Sequence, residues 1–383
     1  MKRVSLWFVV ESGTDVRIVE GLHQRFALSI YARAVDGREI SQKSSVPLDL
    51  RVGPASRLRF ALSIFLRLVL RRATPDFLLV QGYSLAALAA NLGGRLAGVP
   101  VAMFVCSPTE EYYRCRLQDR DVTKPFRRHE YLLLGVLRKL NALAGRRYIV
   151  LSDYLGSVVG ARRGARIEVV PLYGVDTSIF QPPSVSKDEL RKRRGLPVDA
   201  SLLFFSSRVA PEKDAETLVA AVAQLRERGI NVLILHRSGG YRTFVEIAGR
   251  AGVASHVIAT DAVHPTRELP MDYQASDLCV QASRAEGLGF SPLEALACGV
   301  PVIAAAVGGL RETIIDGETG WTYPAGDATQ LAAAIESVLA NPHEAQRRAE
   351  TGRQMVAEKF EREKVFERFA DVVRNIIDAS GSL

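Results

Sequence analysis

Two acidic residues eight positions apart, Glu286 and Glu294, flank a glycine-bearing bend in the stretch Q-A-S-R-A-E-G-L-G-F-S-P-L-E-A-L-A-C-G-V-P-V-I-A-A from Gln281 to Ala305. The pattern predicts a strand ending near Gln281 and a turn over Glu286–Phe290. Ser291 then suits an N-cap and Pro292 a first helical residue, with a short helix over Leu293–Cys298 stopped by Gly299. Such a turn leaves backbone N–H groups unpaired at a helix N-terminus, where the macrodipole favours an anion. Gly287, Leu288, Gly289 and Phe290 are therefore candidate ligand contacts. A carboxylate at Glu294 can accept hydrogen bonds from vicinal hydroxyls such as those of a ribose; the plainer alternative is an acid that only complements the dipole. Arg208 and Lys213, in F-F-S-S-R-V-A-P-E-K-D, stand on a loop expected at a strand's carboxyl end. There an Arg can clamp phosphate oxygens bidentately and a Lys adds a point charge. Two loop cations in solvent is the alternative.

Such loops need a scaffold, and the sequence offers a repeating one. Val4–Val10, Phe77–Gln81, Val101–Val105 and Tyr148–Leu151 are apolar runs that predict buried strands. Helix-period segments such as Ser84–Leu96, ending at Gly98, and Phe126–Leu143 lie between them. The rhythm restarts after residue 200 with Leu202–Ser206, Val232–His236, Val257–Ala259, Leu278–Gln281 and Pro301–Ala305, separated by helices such as Glu216–Arg228. This alternation predicts βαβ units and parallel sheets. A length of 383 residues suits two such domains, each with its own core. Pro182-Pro183 and the basic quartet Arg191–Arg194 before Gly195 read as a linker and a solvated helix end. The expected architecture is α/β, two facing Rossmann-like domains over residues 1–178 and 179–359, with the ligand crevice at the strands' carboxyl ends. Beyond Gly352, Phe360, Val365, Phe366, Phe369, Val373, Ile376 and Ile377 recur at helical spacing, predicting an amphipathic C-terminal helix or helix pair.

The formal charge of +8 is uneven: residues 1–180 hold 27 Lys and Arg against 15 Asp and Glu, whereas residues 181–383 hold 23 against 27. A basic first half attracts phosphates, anionic lipid headgroups or nucleic acid. Nucleic acid fits poorly, because the aromatics do not interleave with the arginines as a stacking platform requires. The segment Arg57–Arg72 joins helical apolar spacing to five arginines. It fits either a core-packed helix with a solvated basic edge or an interfacial helix on an anionic membrane. No apolar run approaches the roughly 20 residues that cross a bilayer, and the N-terminus reads as a first strand rather than a signal peptide. Cys106, Cys115, Cys279 and Cys298 are too scattered for a disulfide framework or a zinc site, which points to a reducing, cytoplasmic compartment.

With these residues in view, the Gln281–Ala305 stretch resembles the E-x(7)-E signature of the retaining family 4 glycosyltransferases, enzymes of the GT-B fold. Glu286 and Glu294 fall on its two acidic positions, within the frame E-G-x-G-x-x-x-x-E-A-x-A-x-G-x-P-V-I-A. Phe204–Leu225 looks like the family's strand–R-x-x-x-x-K-(G/D)–helix element. Gly308-Gly309-Leu310-Arg311-Glu312, Asp316–Trp321 and Pro171–Asp176 with Phe180 are similar to further family segments. Ser12-Gly13-Thr14-Asp15 resembles the glycine loop that approaches the donor phosphates.

The resemblance implies a metal-independent, retaining glycosyltransferase with a nucleoside diphosphate sugar as donor and no further cofactor. The second domain would hold the donor, with Glu294 on the ribose, and Glu286 and the turn Gly287–Phe290 against the sugar. Gly13 and Thr14 would approach its phosphates. Arg208 and Lys213 would stabilise the departing diphosphate, and attack would come from the front face. The C-terminal helix, about residues 360–383, would cross back to the first domain. Together with the basic first half this points to a glycan or lipid-linked acceptor in polysaccharide or glycoconjugate biosynthesis, and to a cytoplasmic enzyme peripheral to the inner membrane face. A GT-B sugar-nucleotide epimerase and a catalytically silent nucleotide-sugar binding homologue share the same motifs and stay open.

Three departures from the family pattern stand out. Cys106 sits where the family commonly carries a His that contacts the donor sugar's outer hydroxyl, and a thiol reproduces those hydrogen bonds poorly. This implies a donor lacking that hydroxyl, such as a 6-deoxy sugar or pentose, or another residue in the His role. Tyr173 replaces the usual Asn, and His236-Arg237-Ser238-Gly239 replaces a glycine-led turn. Asp119-Arg120-Asp121 mimics the D-x-D metal motif of a different glycosyltransferase fold, but it lies in a charged stretch before Lys124-Pro125, and no metal site is assigned to it.

Overall fold

The computed structural model describes residues 3–11, 13–34, 40, 46–70, 74–118 and 128–381. It divides into two compact units: Met1–Pro108, Phe126–Tyr173 and Glu363–Leu383 form the first, and Thr109–Pro125 with Gly174–Arg362 the second. Each is α/β and is built on one parallel sheet.

The first unit's sheet contains β1 (Ser5–Val10), β2 (Ala27–Arg33), β3 (Asp49–Gly53), β4 (Phe77–Gln81), β5 (Val101–Val105), β6 (Arg147–Val150) and β7 (Arg166–Val169), in the order β3-β2-β1-β4-β5-β6-β7. β4 and β5 are buried at every residue, because helices cover both faces of a parallel sheet and the strands become continuous apolar runs. That is why they stood out in the sequence. β3 and β7, with sequences D-L-R-V-G and R-I-E-V, are the two edges. Edge strands keep polar, partly exposed residues, so their pattern carried no signal.

The helix Leu85–Ala97 is capped by Ser84, whose side chain accepts from Ala87 N–H, and ends at Gly98 in the left-handed region. Both signals were legible in the sequence. The helix Arg362–Gly381 runs into the first unit, where Phe366 and Phe369 are fully buried. The Phe369 ring meets Phe26 edge-on at 5.7 Å. Gly21 makes room for Phe366: a Cβ there would stand 2.1 Å from its ring.

The second unit's sheet contains β8 (Ser201–Phe205), β9 (Val232–Arg237), β10 (Val257–Thr260), β11 (Leu278–Gln281), β12 (Val302–Ala305) and β13 (Trp321–Tyr323), in the order β10-β9-β8-β11-β12-β13. The strand order reverses between β8 and β11, so the loops leaving those two strands lie side by side at the topological switch point, the usual ligand position in such sheets.

Three expectations need correction. The sequence pattern put residues 109–125 in the first domain and ended that domain at 178; the helix Thr109–Gln118 clusters with the second unit, and the boundary falls at Tyr173. The reason is side-chain chemistry, since this helix carries Tyr112 and Arg116 to acids of the second unit. The quartet Arg191–Arg194 is not wholly a solvated end. Arg191 is buried, donating to the carbonyls of Ala275 and Ala200, and Arg194 donates to the buried Asp272 at 2.7 Å. Finally, the helix after the glycine bend spans Phe290–Ala297 with Gly289 as its N-cap, so Ser291 and Pro292 lie inside it and Glu294 in its second turn. Ser12 and the Asp119-Arg120-Asp121 segment lie outside the described residues.

Candidate active site

The loop after β8 carries Arg208 and Lys213. Pro211–Lys213 form one turn of 3-10 helix, and Asp214 then takes φ of +50°, the only non-glycine residue at positive φ among the described residues. This explains a Gly-or-Asp position after the lysine: glycine enters the left-handed region freely, and Asp is one of the few others that tolerates it. Asp214 also caps the helix Ala215–Glu227, accepting from Thr217 N–H at 3.4 Å and, on its other oxygen, from Thr217 Oγ1 at 2.7 Å. Arg284, on the loop after β11, reaches across with Nε 2.8 Å and Nη2 3.1 Å from the two Asp214 carboxylate oxygens. Its backbone N–H donates to the Glu212 carbonyl at 2.9 Å. The two loops are thus stitched into one rigid piece.

Glu286 is the hub of that piece. Its Oε2 accepts from Lys213 Nζ, from Ser283 Oγ at 3.1 Å and from Gln281 Nε2 at 3.2 Å, while Tyr112 OH donates to Oε1 at 3.3 Å. A carboxylate so fully engaged orients a ligand or a cation; it is poorly suited to act as a free base or nucleophile. The Lys213 ammonium also faces the Tyr112 ring at 5.9 Å.

Arg208 differs from Lys213. Its side chain is 59% exposed, and its Nη2 donates to Glu212 Oε1 at 3.1 Å. Arg116 Nη2 donates to the same oxygen at 3.0 Å. Burial pushes the Glu212 carboxyl up, but the Arg116 hydrogen bond, a backbone hydrogen bond and the charges of Arg116 and Arg208 together outweigh it and hold the acid below its ordinary range. An ionised Glu212 therefore holds one nitrogen of the Arg208 guanidinium while most of the side chain stays open to solvent.

Glu294 is buried, and its Oε2 lies 2.9 Å from the Tyr273 hydroxyl, which is 3.1 Å from Ser206 Oγ at the end of β8. Burial and then the Glu294 charge push the Tyr273 phenol well above its usual value, so it remains a donor to Glu294. Both acids are in this way tied to the loop that carries the cations: Glu286 through Lys213, Glu294 through Ser206.

The bend between the acids depends on two glycines. Gly289 has φ of +92°, and no side chain caps the helix it begins. Gly309, from the loop after β12, lies against the bend; a Cβ there would fall 2.1 Å from the Gly287 carbonyl oxygen, and its N–H donates to the Glu286 carbonyl at 3.1 Å. His236 is not a loop residue at this site. It is fully buried, stacked on Phe244 at 4.5 Å, with Nδ1 2.9 Å from the Phe205 carbonyl. Burial lowers its pKa and keeps it neutral.

In the first unit, Gly13 and Thr14 follow β1 and Cys106 follows β5, all at carboxyl ends of strands. Gln81 Nε2 donates to the Gly13 carbonyl at 3.3 Å and lies 3.9 Å from Cys106 Sγ, and the buried Thr14 Oγ1 has no partner among the described residues. Burial raises the Cys106 thiol, with Tyr173 as a hydrogen-bond neighbour. Two of the three departures noted in the sequence, Cys106 and Tyr173, thus adjoin each other.

Sequence reasoning missed Tyr112, Arg116, Glu212, Tyr273, Gln281, Ser283 and Arg284. Glu212 and Asp214 lie within or beside the R-x-x-x-x-K spacing and could have been suspected there. Tyr112 and Arg116 arrive from a distant segment and had no local signal.

The family model described as Glycosyl transferases group 1 matches residues 186–355, a segment of the second unit. Over 197 residues the chain is 34% identical to the GDP-mannose-dependent alpha-(1-6)-phosphatidylinositol monomannoside mannosyltransferase of Mycolicibacterium smegmatis, covering 49% of this chain and 51% of that one. Over 187 residues it is 37% identical to the D-inositol 3-phosphate glycosyltransferase of Xylanimonas cellulosilytica, covering 46% and 43%. The chain spans about half the length of the curated relatives it matches. The structure of Anabaena HepE in complex with UDP-glucose is similar with a TM-score of 0.76 at 18% identity, over 97% of this chain and 100% of that one. The chain is therefore similar to the group 1 glycosyl transferases across residues 186–355, and its fold, over nearly its whole length, is GT-B.

Proposed function

We propose that this chain is a glycosyltransferase that moves a sugar from a nucleoside diphosphate sugar, with retention, to a glycan or lipid-linked acceptor. The observation that carries the reading is the Lys213–Glu286 ion pair beside the bend Gly287–Phe290, with the solvent-open Arg208 on the same rigid loop. In this reading the second unit holds the donor. Glu294, oriented by Tyr273, accepts from the ribose hydroxyls. Glu286 and the bend amides lie against the sugar. Arg208 and Lys213 offset the charge that develops on the diphosphate as the glycosidic bond breaks, the type of stabilisation that usually contributes most. Glu286 is saturated with donors, so the acceptor hydroxyl attacks from the leaving-group side and passes its proton to the departing phosphate. Gly13, Thr14 and Cys106, after β1 and β5, are the first unit's candidate substrate contacts. Cationic side chains meet the diphosphate charge, so the reaction runs without a metal ion. The similar enzymes named for mannosyl and inositol phosphate substrates support the donor and acceptor classes.

The test is turnover of UDP, GDP, ADP and TDP sugars in EDTA, with the anomeric configuration of the product read by proton NMR. An α-configured donor is expected to give an α-linked product. An inverted product, or activity that only Mg²⁺ restores, would overturn the corresponding part. Isomerised donor without acceptor would favour the epimerase.

The first unit carries the membrane part of the proposal. The helices Arg57–Val69, Leu85–Ala97 and Arg128–Ala144 pack side by side. Each exposes apolar residues: Leu58, Leu62 and Leu66; Leu92 and Leu96; Leu133, Val136, Leu140 and Leu143. Arg57, Arg59, Arg95 and Lys139 accompany them, all exposed. An apolar face with a cationic border complements an anionic bilayer surface. No helix among the described residues is long and apolar enough to cross a membrane. Flotation with vesicles containing phosphatidylglycerol is expected to carry the wild-type protein and to leave a Leu62→Glu, Leu133→Glu variant behind; equal flotation of both would refute the docking face.

A further inference from the structure

Near the amino-terminal ends of β5 and β6, away from the strands' carboxyl ends, the first unit contains a cavity of about 340 Å³. Arg95, Arg146 and Arg147 line it, and Asn91 and Ser380 are the other polar side chains in its wall. A smaller cavity of about 100 Å³ shares Arg147 and adds Arg166, with Glu168 as its one carboxylate. Among the described residues, Arg95, Arg146, Arg147, Arg162 and Arg166 form no ion pair. Two of them are held in place without being neutralised: Arg95 donates to the Ala144 carbonyl, and Arg147 Nη2 donates to Ser380 Oγ at 3.2 Å. The buried Nε of Arg147 has no partner among the described residues.

The cluster is electrostatically strained. Burial, then Arg146 and Arg162, lower the pKa of Arg95; burial, then Arg166 and Arg146, lower that of Arg147. Like charges gathered with one neighbouring carboxylate, Glu168, and no ion pair among the described residues raise the energy of the folded chain, and a bound anion relieves it. Guanidinium forks match phosphate oxygens in geometry, and several around one cavity accept a doubly charged group better than a carboxylate.

We propose that the cavity bounded by Arg95, Arg146 and Arg147 is a binding site for a phosphomonoester group, separate from the donor site of the second unit. A lipid headgroup and a soluble phosphate share this chemistry. Leu96 and Leu143, two of the exposed leucines on the helix faces described above, stand next in sequence to Arg95 and to Ala144, whose carbonyl Arg95 meets, which favours the lipid. The phosphate chemistry stands whether or not those faces dock on a bilayer.

The test compares the wild-type protein with the double change Arg95→Gln, Arg146→Gln, and with the single change Arg146→Gln. The Arg146 side chain makes no hydrogen bond among the described residues, so the single change leaves the existing network intact. Inorganic phosphate, against chloride at equal ionic strength, is expected to raise the wild-type Tm by several degrees. The double variant should lose that response while its own Tm in chloride stays level or rises, because repulsion has been removed. Co-sedimentation with phosphatidylcholine vesicles carrying phosphatidic acid, against phosphatidylglycerol at matched charge, separates the sources. A preference for phosphatidic acid lost in the variants identifies a lipid headgroup; a lost phosphate response with unchanged vesicle binding identifies a soluble phosphate. A phosphate response and vesicle binding that are both the same in wild type and folded variants would overturn the proposal. Should the double variant fail to fold, the single variant decides by the same two measurements.

Discussion

Lys213→Ala is expected to lower turnover by about 10² to 10³-fold, the usual loss when one preorganised donor to a developing negative charge is removed. The structure also tells how to separate chemistry from folding. Lys213 and Glu286 have side chains only 14% and 11% exposed, so removing the cation leaves a carboxylate in a largely buried place with Gln281, Ser283 and Tyr112 as remaining donors. Breaking one partner of such a pair is destabilising, at most about 3–5 kcal/mol when burial is complete. A second change, Glu286→Gln, removes the stranded charge and should restore much of the Tm while leaving turnover low. Arg208→Ala provides the contrast. Its guanidinium is mostly in solvent, and an exposed ion pair contributes about 1 kcal/mol or less. Its Tm should barely move, while kcat falls by a factor similar to that of the lysine variant. Near-wild-type turnover in both variants, measured at saturating donor, would remove the two cations from the mechanism.

Gly309→Ala is expected to be nearly as damaging, for a steric reason. The added Cβ would meet the Gly287 carbonyl oxygen at 2.1 Å and Leu288 Cα at 2.9 Å. These are backbone atoms, so no side-chain rotation relieves the clash. The bend must move, and with it go the hydrogen bond from Gly309 N–H to the Glu286 carbonyl and the placement of both acids. Overpacking of this kind costs about 1–3 kcal/mol or more. Donor binding by calorimetry should weaken at least tenfold, with a falling Tm. Gly249→Ala is the control: it lies in the helix Tyr241–Arg250, and an added Cβ meets nothing within 4 Å. Alanine is the better helix former there, and Tm should hold or rise. Unchanged donor affinity in Gly309→Ala would show that the bend does not hold the ligand.

Much of the site was legible because its chemistry is local. Glu286, Glu294 and the glycines between them lie in one short stretch of chain, and Arg208 and Lys213 share one loop. Spacing along the chain therefore maps directly onto position at the end of a strand. The buried strands were equally plain, since β1, β4 and β5 are apolar throughout but for Ser5 and Gln81 at their ends. What failed to show was whatever depends on a partner far away in sequence. The helix Thr109–Gln118 has no buried residue of its own and an unremarkable pattern; only its Tyr112 and Arg116 contacts reveal which unit it serves. Tyr273 looks like any core aromatic until its hydroxyl is found on Glu294.

The amino-acid sequence by itself determined the alternation of strands and helices, the loops that carry charge, and the glycines that let the bend form, because each follows from residue type and local backbone freedom. Only the tertiary structure decided that Glu286 is saturated by donors from Lys213, Ser283, Gln281 and Tyr112, that Arg208 stays open to solvent while Lys213 does not, and that Arg95, Arg146, Arg147, Arg162 and Arg166 share one charged neighbourhood. Those properties are sums over neighbours brought together by the parallel sheets, and no window along the chain contains them.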